Sequence, residues 1–148
     1  MDLDCEEKAG LKVKVSETLD SLSYLVEQLK KSSDEIGAIT VFVGVVRGTR
    51  KDEKVLRLEY EAHETLAPKV VEDMLGDIKA TYGIIDAAVE HRIGTVSVGE
   101  DVMYLVVASK HREEGLRAIT EMVERVKREV PIWKKEITEK GAYWVDNP

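Results

Sequence analysis

Two lysines give the first sign of chemistry in this chain. Lys127 and Lys134 stand seven positions apart in Val126–Glu136, which reads Val-Lys-Arg-Glu-Val-Pro-Ile-Trp-Lys-Lys-Glu. Pro131 must end the helix that carries Lys127 and send the chain onward in extended form. Two ammonium groups can then approach one pocket from different backbone elements, beside the aromatic wall of Trp133. Cations gathered in this way suit an anionic ligand, or a lysine whose pKa is lowered. On an extended strand Trp133 and Lys135 share one face and Lys134 and Glu136 the other, so Glu136 is the expected orienting partner of Lys134. Each lysine alone has a plainer reading. Lys127 in a last helical turn complements the helix dipole, and Lys134 in a surface ion pair would contribute little.

Further cations fall at the ends of elements. Ser109-Lys110-His111-Arg112 lies where a strand gives way to a helix, whose free N–H groups attract anions. Arg47 follows Gly44-Val-Val at the end of a strand, well placed for a bidentate grip on phosphate. The Gly-Lys-Ser/Thr of a nucleotide-binding phosphate loop is missing. His91-Arg92 is another basic pair at a strand end. Phe42, the only phenylalanine, reads as core. Together Arg47, His91, Arg92, His111, Arg112, Lys127 and Lys134 suggest a site for a small phosphorylated molecule. Composition and spacing give no reaction.

The elements that must position these groups follow from periodicity. Leu11–Val15 alternates as a strand, and Ser16 is expected to cap a helix with Leu19, Leu22, Leu25, Val26 and Leu29 at helical spacing. Lys30–Glu35 is a polar connection. Gly37–Val46 is β-branched and apolar on both faces, which predicts a central strand. Arg47–Lys54 reads as a mobile charged loop. Val55–Glu61 alternates, with Leu56, Leu58 and Tyr60 on one side. Thr65–Tyr82 is helical, with Pro68 tolerated in its first turn. Ala87–Ile93 and Val102–Ser109 are strands joined by a turn-rich segment containing Gly94 and Gly99. Glu113–Val130 is a helix, and extended pieces near Ile132–Ile137 and Ala142–Val145 close the chain. The order β-α-β-β-α-β-β-α-β-β predicts an α+β fold, a mainly antiparallel sheet with about three helices packed on it.

Size and composition set limits. The 148 residues suit one domain over 11–148 behind a flexible tail at 1–10. No apolar run reaches the roughly 18 residues of a membrane span, and the acidic start has no signal region, so a cytoplasmic protein is expected. With 22 Lys and Arg against 29 Asp and Glu the formal charge is −7, which argues against nucleic acid or anionic lipid. Lys110–Lys135 nevertheless carries eight Lys or Arg and five Glu, a basic island that fits a small anion. Cys5 is the only cysteine and the three histidines are scattered, so neither a disulfide within the chain nor a metal site is expected, and no cofactor. Gln28 and Asn147 are the only side-chain amides, a hint of a thermophilic source.

Several short motifs occur in order over residues 11–146: Gly37-Ala38 through Phe42-x-Gly44-x-x-Arg47; Leu58-Glu59-Tyr60-Glu61; His91-Arg92-Ile93-Gly94 with Val98-Gly99-Glu100; Ser109-x-His111-Arg112; Lys127-x-x-x-Pro131-Ile132-Trp133-Lys134-Lys135-Glu136; and Gly141-x-x-Trp144-Val145. In this ordered set the chain resembles the catalytic (large) subunit family of molybdopterin synthase. The resemblance implies an α/β-hammerhead-like fold and an enzyme, a sulfurtransferase of molybdenum cofactor biosynthesis. It implies sulfur transfer to cyclic pyranopterin monophosphate from the C-terminal Gly-Gly thiocarboxylate of a small ubiquitin-like sulfur-carrier subunit, forming the dithiolene. It also implies a homodimer of large subunits with a small subunit at each end, a heterotetramer. Carried over by motif, Lys127 and Lys134 are catalytic. Phe42, Arg47, His111, Arg112 and Glu136 bind substrate, with His111 and Arg112 serving the neighbouring subunit's site. Relatives often extend past the Trp-Val motif with basic residues, whereas this sequence stops at Pro148; Arg50 or Lys51 is the expected substitute, and His91 and Arg92 are further candidates. The rival reading is a non-catalytic dimeric binding module for a pterin phosphate or a ubiquitin-like tail.

Overall fold

The computed structural model describes residues 11–145. The expected flexible tail at 1–10, with Cys5, and residues 146–148 lie outside the described residues. Among the described residues nine strands and three helices follow one another as β1 (Leu11–Ser16), α1 (Leu22–Lys30), β2 (Ala38–Val45), β3 (Thr49–Arg50), β4 (Glu53–Ala62), α2 (Leu66–Tyr82), β5 (Asp86–Arg92), β6 (Gly94–Ser97), β7 (Asp101–Ser109), α3 (Arg112–Glu129), β8 (Ile132–Thr138) and β9 (Gly141–Val145).

The strands divide into two sheets. One has the order β1-β5-β7-β2, and the other runs β3-β4-β8-β9 with β6 also paired to β4. Among the described residues only β1 and β5 pair in parallel, so the α+β, mainly antiparallel expectation holds. β5 and β7 are the central strands, buried almost throughout. Their alternation serves two layers. Ala87, Val89, Leu105 and Val107 join the core built with α2 and α3, while Ala88, Val106 and Ala108 meet Leu29 of α1 on the opposite face. Leu25, Leu29, Met74, Ile78 and Met122 are fully buried helix anchors, each contributing about 1.5–3 kcal/mol through the apolar surface removed from water. Leu58, Tyr60 and Val96 of the second sheet belong to the same core as Leu105 and Met122, so one apolar interior joins both sheets.

Four expectations need correction. The strand at Gly37–Val46 is an edge and not a centre: among the described residues β2 pairs only with β7, and Val41 and Val45 are 39% and 52% exposed. Apolar character on both faces therefore did not mean strands on both sides. The first helix begins at Leu22, capped by Ser21, whose hydroxyl accepts the Tyr24 N–H at 3.2 Å. The residues after Ser16 are held elsewhere, with Asp20 N–H donating to Glu90 and its carboxylate paired to Lys14. A bulge between Val55 and Arg57 breaks the alternation of β4, turning Val55 inward and leaving Leu56 44% exposed. Arg47–Lys54, expected to be a mobile loop, contains the tight β3–β4 hairpin, with Lys51 at a left-handed φ of 54°.

α3 lies close against the first sheet because Gly115 has no side chain. A Cβ there would stand 2.7 Å from Ser109 Oγ and 2.8 Å from Thr40 Oγ1. Ser109 cannot simply yield, since its hydroxyl donates to the His111 carbonyl at 2.6 Å. Gly115→Ala is therefore expected to destabilise the fold by about 1–3 kcal/mol through overpacking, outweighing the roughly 1 kcal/mol helix-propensity advantage of alanine. A urea denaturation midpoint equal to or above that of the parent would disprove this close packing.

Candidate functional site

A cleft of about 410 Å³ opens where the two sheets and the end of α3 meet. β2 contributes Phe42 and Gly44, and Arg47 follows just beyond the strand. Leu58 and Tyr60 come from β4, His91 from β5 and Met103 from β7. Val126 and Lys127 come from the last turn of α3, and Lys134 and Glu136 from β8.

Local sequence explains the convergence. α3 stops at Glu129, and Val130 before Pro131 is already extended, with ψ 128°. β8 then pairs with β4 so that Lys134 lies opposite Tyr60 and Glu136 opposite Leu58. Strand alternation sends these four side chains to the cleft and Trp133 to solvent. Lys135, on the outer face, lies 5.4 Å from the ring centre of Trp144.

The electrostatics favour uncharged groups deep in the cleft. Burial pushes the Lys134 amine below its ordinary pKa; Lys127 and Arg47 push the same way, and Glu136 opposes them. His91 is driven down to about 4, mainly by burial and further by Lys134. Its Nδ1–H donates to the Arg92 carbonyl at 2.7 Å. Because a carbonyl only accepts, this fixes the tautomer and leaves Nε2 as the acceptor. The His91 ring meets Tyr60 edge-on with centres 5.0 Å apart. Burial and the Glu136 charge raise the Tyr60 hydroxyl to about 12. The cleft thus offers an amine whose charged form burial disfavours, a neutral imidazole and a protonated phenol behind a cationic mouth. That set can bind an anion and move protons. Among the described residues, no three His, Cys, Asp or Glu side chains converge to hold a metal ion.

Of the residues singled out from sequence, Phe42, Arg47, His91, Lys127, Lys134 and Glu136 line the cleft. Arg50 reaches it indirectly, through a 2.8 Å ion pair with Glu136. Arg92 lies outside and braces backbone, donating to the Glu17 and Thr95 carbonyls. His111 and Arg112 begin α3, while Lys127 sits in its last turn. Over 18 residues that helix is about 27 Å long, so the two groups cannot act on one cleft within a single chain. Tyr60 was missed as a site residue, although its alternation with Leu58 was a usable signal. The buried Glu90 was missed altogether, since nothing local in Val89-Glu-His91 shows that Asp20 covers it.

The family model described as MoaE protein matches residues 15–129. A Pyrococcus abyssi protein named molybdopterin synthase catalytic subunit is 39% identical over 115 residues, covering 78% of each chain. The crystal structure of molybdopterin synthase from Staphylococcus aureus superposes with a TM-score of 0.78 at 34% identity, covering 90% of this chain and 95% of that one. A protein–protein complex of subunits 1 and 2 of the molybdopterin-converting factor from Helicobacter pylori gives a TM-score of 0.73 at 25% identity, covering 95% and 94%.

Glu90, buried on the face of β5 opposite the cleft-lining His91, has a pH signature. Glu90 is raised from 4.5 to about 7, chiefly by burial and then by Asp20. A folded state that holds a proton more tightly than the unfolded chain is favoured below pH 4.5, and that advantage is lost as pH rises through about 7. His91 acts in the opposite sense, losing stability as pH falls from 6.5 through about 4. Glu90→Gln deletes only the first contribution. The melting temperature of the variant minus that of the parent should therefore rise between pH 4.5 and 7 and level off above. A flat difference across that range would mean that Glu90 is not held protonated.

Proposed function

The chain belongs to the MoaE family, and from that premise we propose how its cleft carries out the family's chemistry. It is an enzyme of molybdopterin synthesis, a sulfurtransferase. We infer that its substrate is cyclic pyranopterin monophosphate and its sulfur donor the C-terminal thiocarboxylate of a small ubiquitin-like partner. The convergence of Lys127 and Lys134 on one cleft, with the Lys134 amine pushed down by burial, carries this reading. Once the donor sulfur has bonded to the pterin, water attacks the resulting thioester carbonyl, the C–S bond breaks to leave sulfur on the pterin and a carboxylate on the partner, and a lysine ammonium stabilises the oxyanion formed on the way. A neutral amine moves protons as sulfur adds to the pterin and the cyclic phosphate opens. Arg47, at the mouth, is the phosphate ligand in this account, and Phe42 shapes the wall against the pterin.

The subunit complex of the Helicobacter pylori relative supports a small partner subunit. The distance along α3 supports a composite site: His111 and Arg112, too remote to serve their own chain's cleft, would serve that of a second copy in a homodimer. With one small subunit at each end the assembly is a heterotetramer. Among the described residues no helix is long and apolar enough to cross a membrane; a cytoplasmic setting is part of this proposal.

The test is single-turnover conversion of cyclic pyranopterin monophosphate with the thiocarboxylated partner. The parent should form dithiolene product, and Lys127→Ala and Lys134→Ala should each slow it about 10²–10⁴-fold. Full turnover by both folded variants would remove the lysines from the mechanism. No product from the parent, with the partner bound, would leave the rival binding-module reading.

A further inference from the structure

Glu136 and Lys134 share the inner face of β8, and the simplest expectation pairs them. The geometry is different. Among the described residues no ion pair joins the two, and Glu136 Oε1 lies instead 2.8 Å from Arg50 Nε, with the side chains only 14% and 27% exposed. Arg50 is itself held from the other side. Its guanidinium stacks 4.5 Å from the ring centre of Tyr143, and Tyr143 is directly opposite Glu136 in the β8–β9 ladder. The hairpin that delivers Arg50 is pinned by Glu53, which accepts from Thr138 Oγ1 at 2.6 Å and from the Tyr143 hydroxyl at 3.4 Å.

We propose that Arg50 is a positioning residue of the cleft: by occupying the Glu136 carboxylate it keeps that carboxylate off the Lys134 ammonium. The groups acting on Lys134 come from every surrounding element. Lys127 of α3 and Arg47 beyond β2 disfavour its charge, Glu136 of β8 favours it, and His91 of β5 and Tyr60 of β4 are neutral at pH 7. Among the described residues Glu136 is thus the one anion that favours the charged form of Lys134. Around Glu136 stand Arg50 of β3, Tyr60 and Tyr143. With Arg50 in place the carboxylate is held by the guanidinium that stacks on Tyr143, and Lys134 remains an amine that can lose its proton. Without Arg50 the carboxylate is free to turn to Lys134, and an opposite charge at close range favours the charged form. The consequence for turnover rests on the sulfur-transfer reading, but the positioning itself does not.

Competitive amine labelling of the full chain, read by mass spectrometry as a function of pH, gives the titration midpoint of Lys134 without substrate. Arg50→Ala should move that midpoint up by about one pH unit, leaving about tenfold less neutral amine at a given pH. Arg50→Lys should restore most of the parent value, and Glu136→Gln should move the midpoint down. In the Glu136→Gln background Arg50→Ala should add nothing, because its effect runs through the carboxylate. In single turnover the acid limb of the pH–rate profile should follow the labelling midpoint. An unchanged midpoint in folded Arg50→Ala would overturn the proposal. So would an equal rise in the Glu136→Gln background, which would show the guanidinium acting by its own charge. Should Arg50→Ala not fold, Arg50→Gln, which keeps much of the side chain and removes its charge, decides: an unchanged Lys134 midpoint there overturns it. A parent with the expected midpoints and no turnover would instead count against the sulfur-transfer reading.

Discussion

Everything in the cleft depends on the break at Pro131. A helix cannot continue through a residue with no N–H and a ring that clashes with the preceding turn. The chain therefore leaves α3 at Glu129 and turns at once into β8. The freed backbone is satisfied locally: the Ile132 N–H donates to the Val130 carbonyl at 2.8 Å, and His63 N–H donates to the Pro131 carbonyl at 3.1 Å. The second bond ties the break to the end of β4, the strand with which β8 pairs. Register then follows, Tyr60 against Lys134 and Leu58 against Glu136. A proline at a helix end is common; here it also sets the separation and direction of two amines.

The site is a small basic interior in an acidic protein. At a distance the net charge of −7 opposes an anionic substrate, and within a Debye length of roughly 8 Å the local cations dominate. Charge on the outside is used differently. Arg125 bridges α2 and α3 by pairing with Asp77 at 3.2 Å and Glu129 at 2.9 Å. Such exposed pairs add at most about 1 kcal/mol each, so they adjust the helix pair that the apolar core has already joined.

Local pattern and pairing were unequally legible in the sequence. The three helices, the faces of β8 and the cleft residues Arg47, His91, Lys127 and Lys134 follow from periodicity, Pro131 and charges at element ends, because those depend on near neighbours. The division into two sheets does not, since it is set by β4 pairing with β8 and β2 with β7 across long stretches of chain. β2 carries enough valine to resemble a central strand, but its position depends on what lies beside it. The β3–β4 hairpin has loop composition and is ordered by residues more than eighty positions away, Glu136 and Tyr143. His111 and Arg112 stand at an element end, as their place in the sequence suggests, yet only the length of α3 shows that they are remote from their own chain's cleft.

The sheet order also bears on how the chain is made. In β1-β5-β7-β2 only β5 and β7 are close in sequence. β1 and β2 emerge from the ribosome with no strand to pair with. From Val45 to Asp101 synthesis takes roughly 3–11 s at about 5–20 residues per second. During that interval the valine-rich β2 is an unshielded apolar ribbon, able to join another chain edge to edge. The β5–β7 hairpin, completed at Ser109, captures both outer strands at nearly the same moment, so a nascent chain halted before Ser109 is the form of this protein most in need of a chaperone.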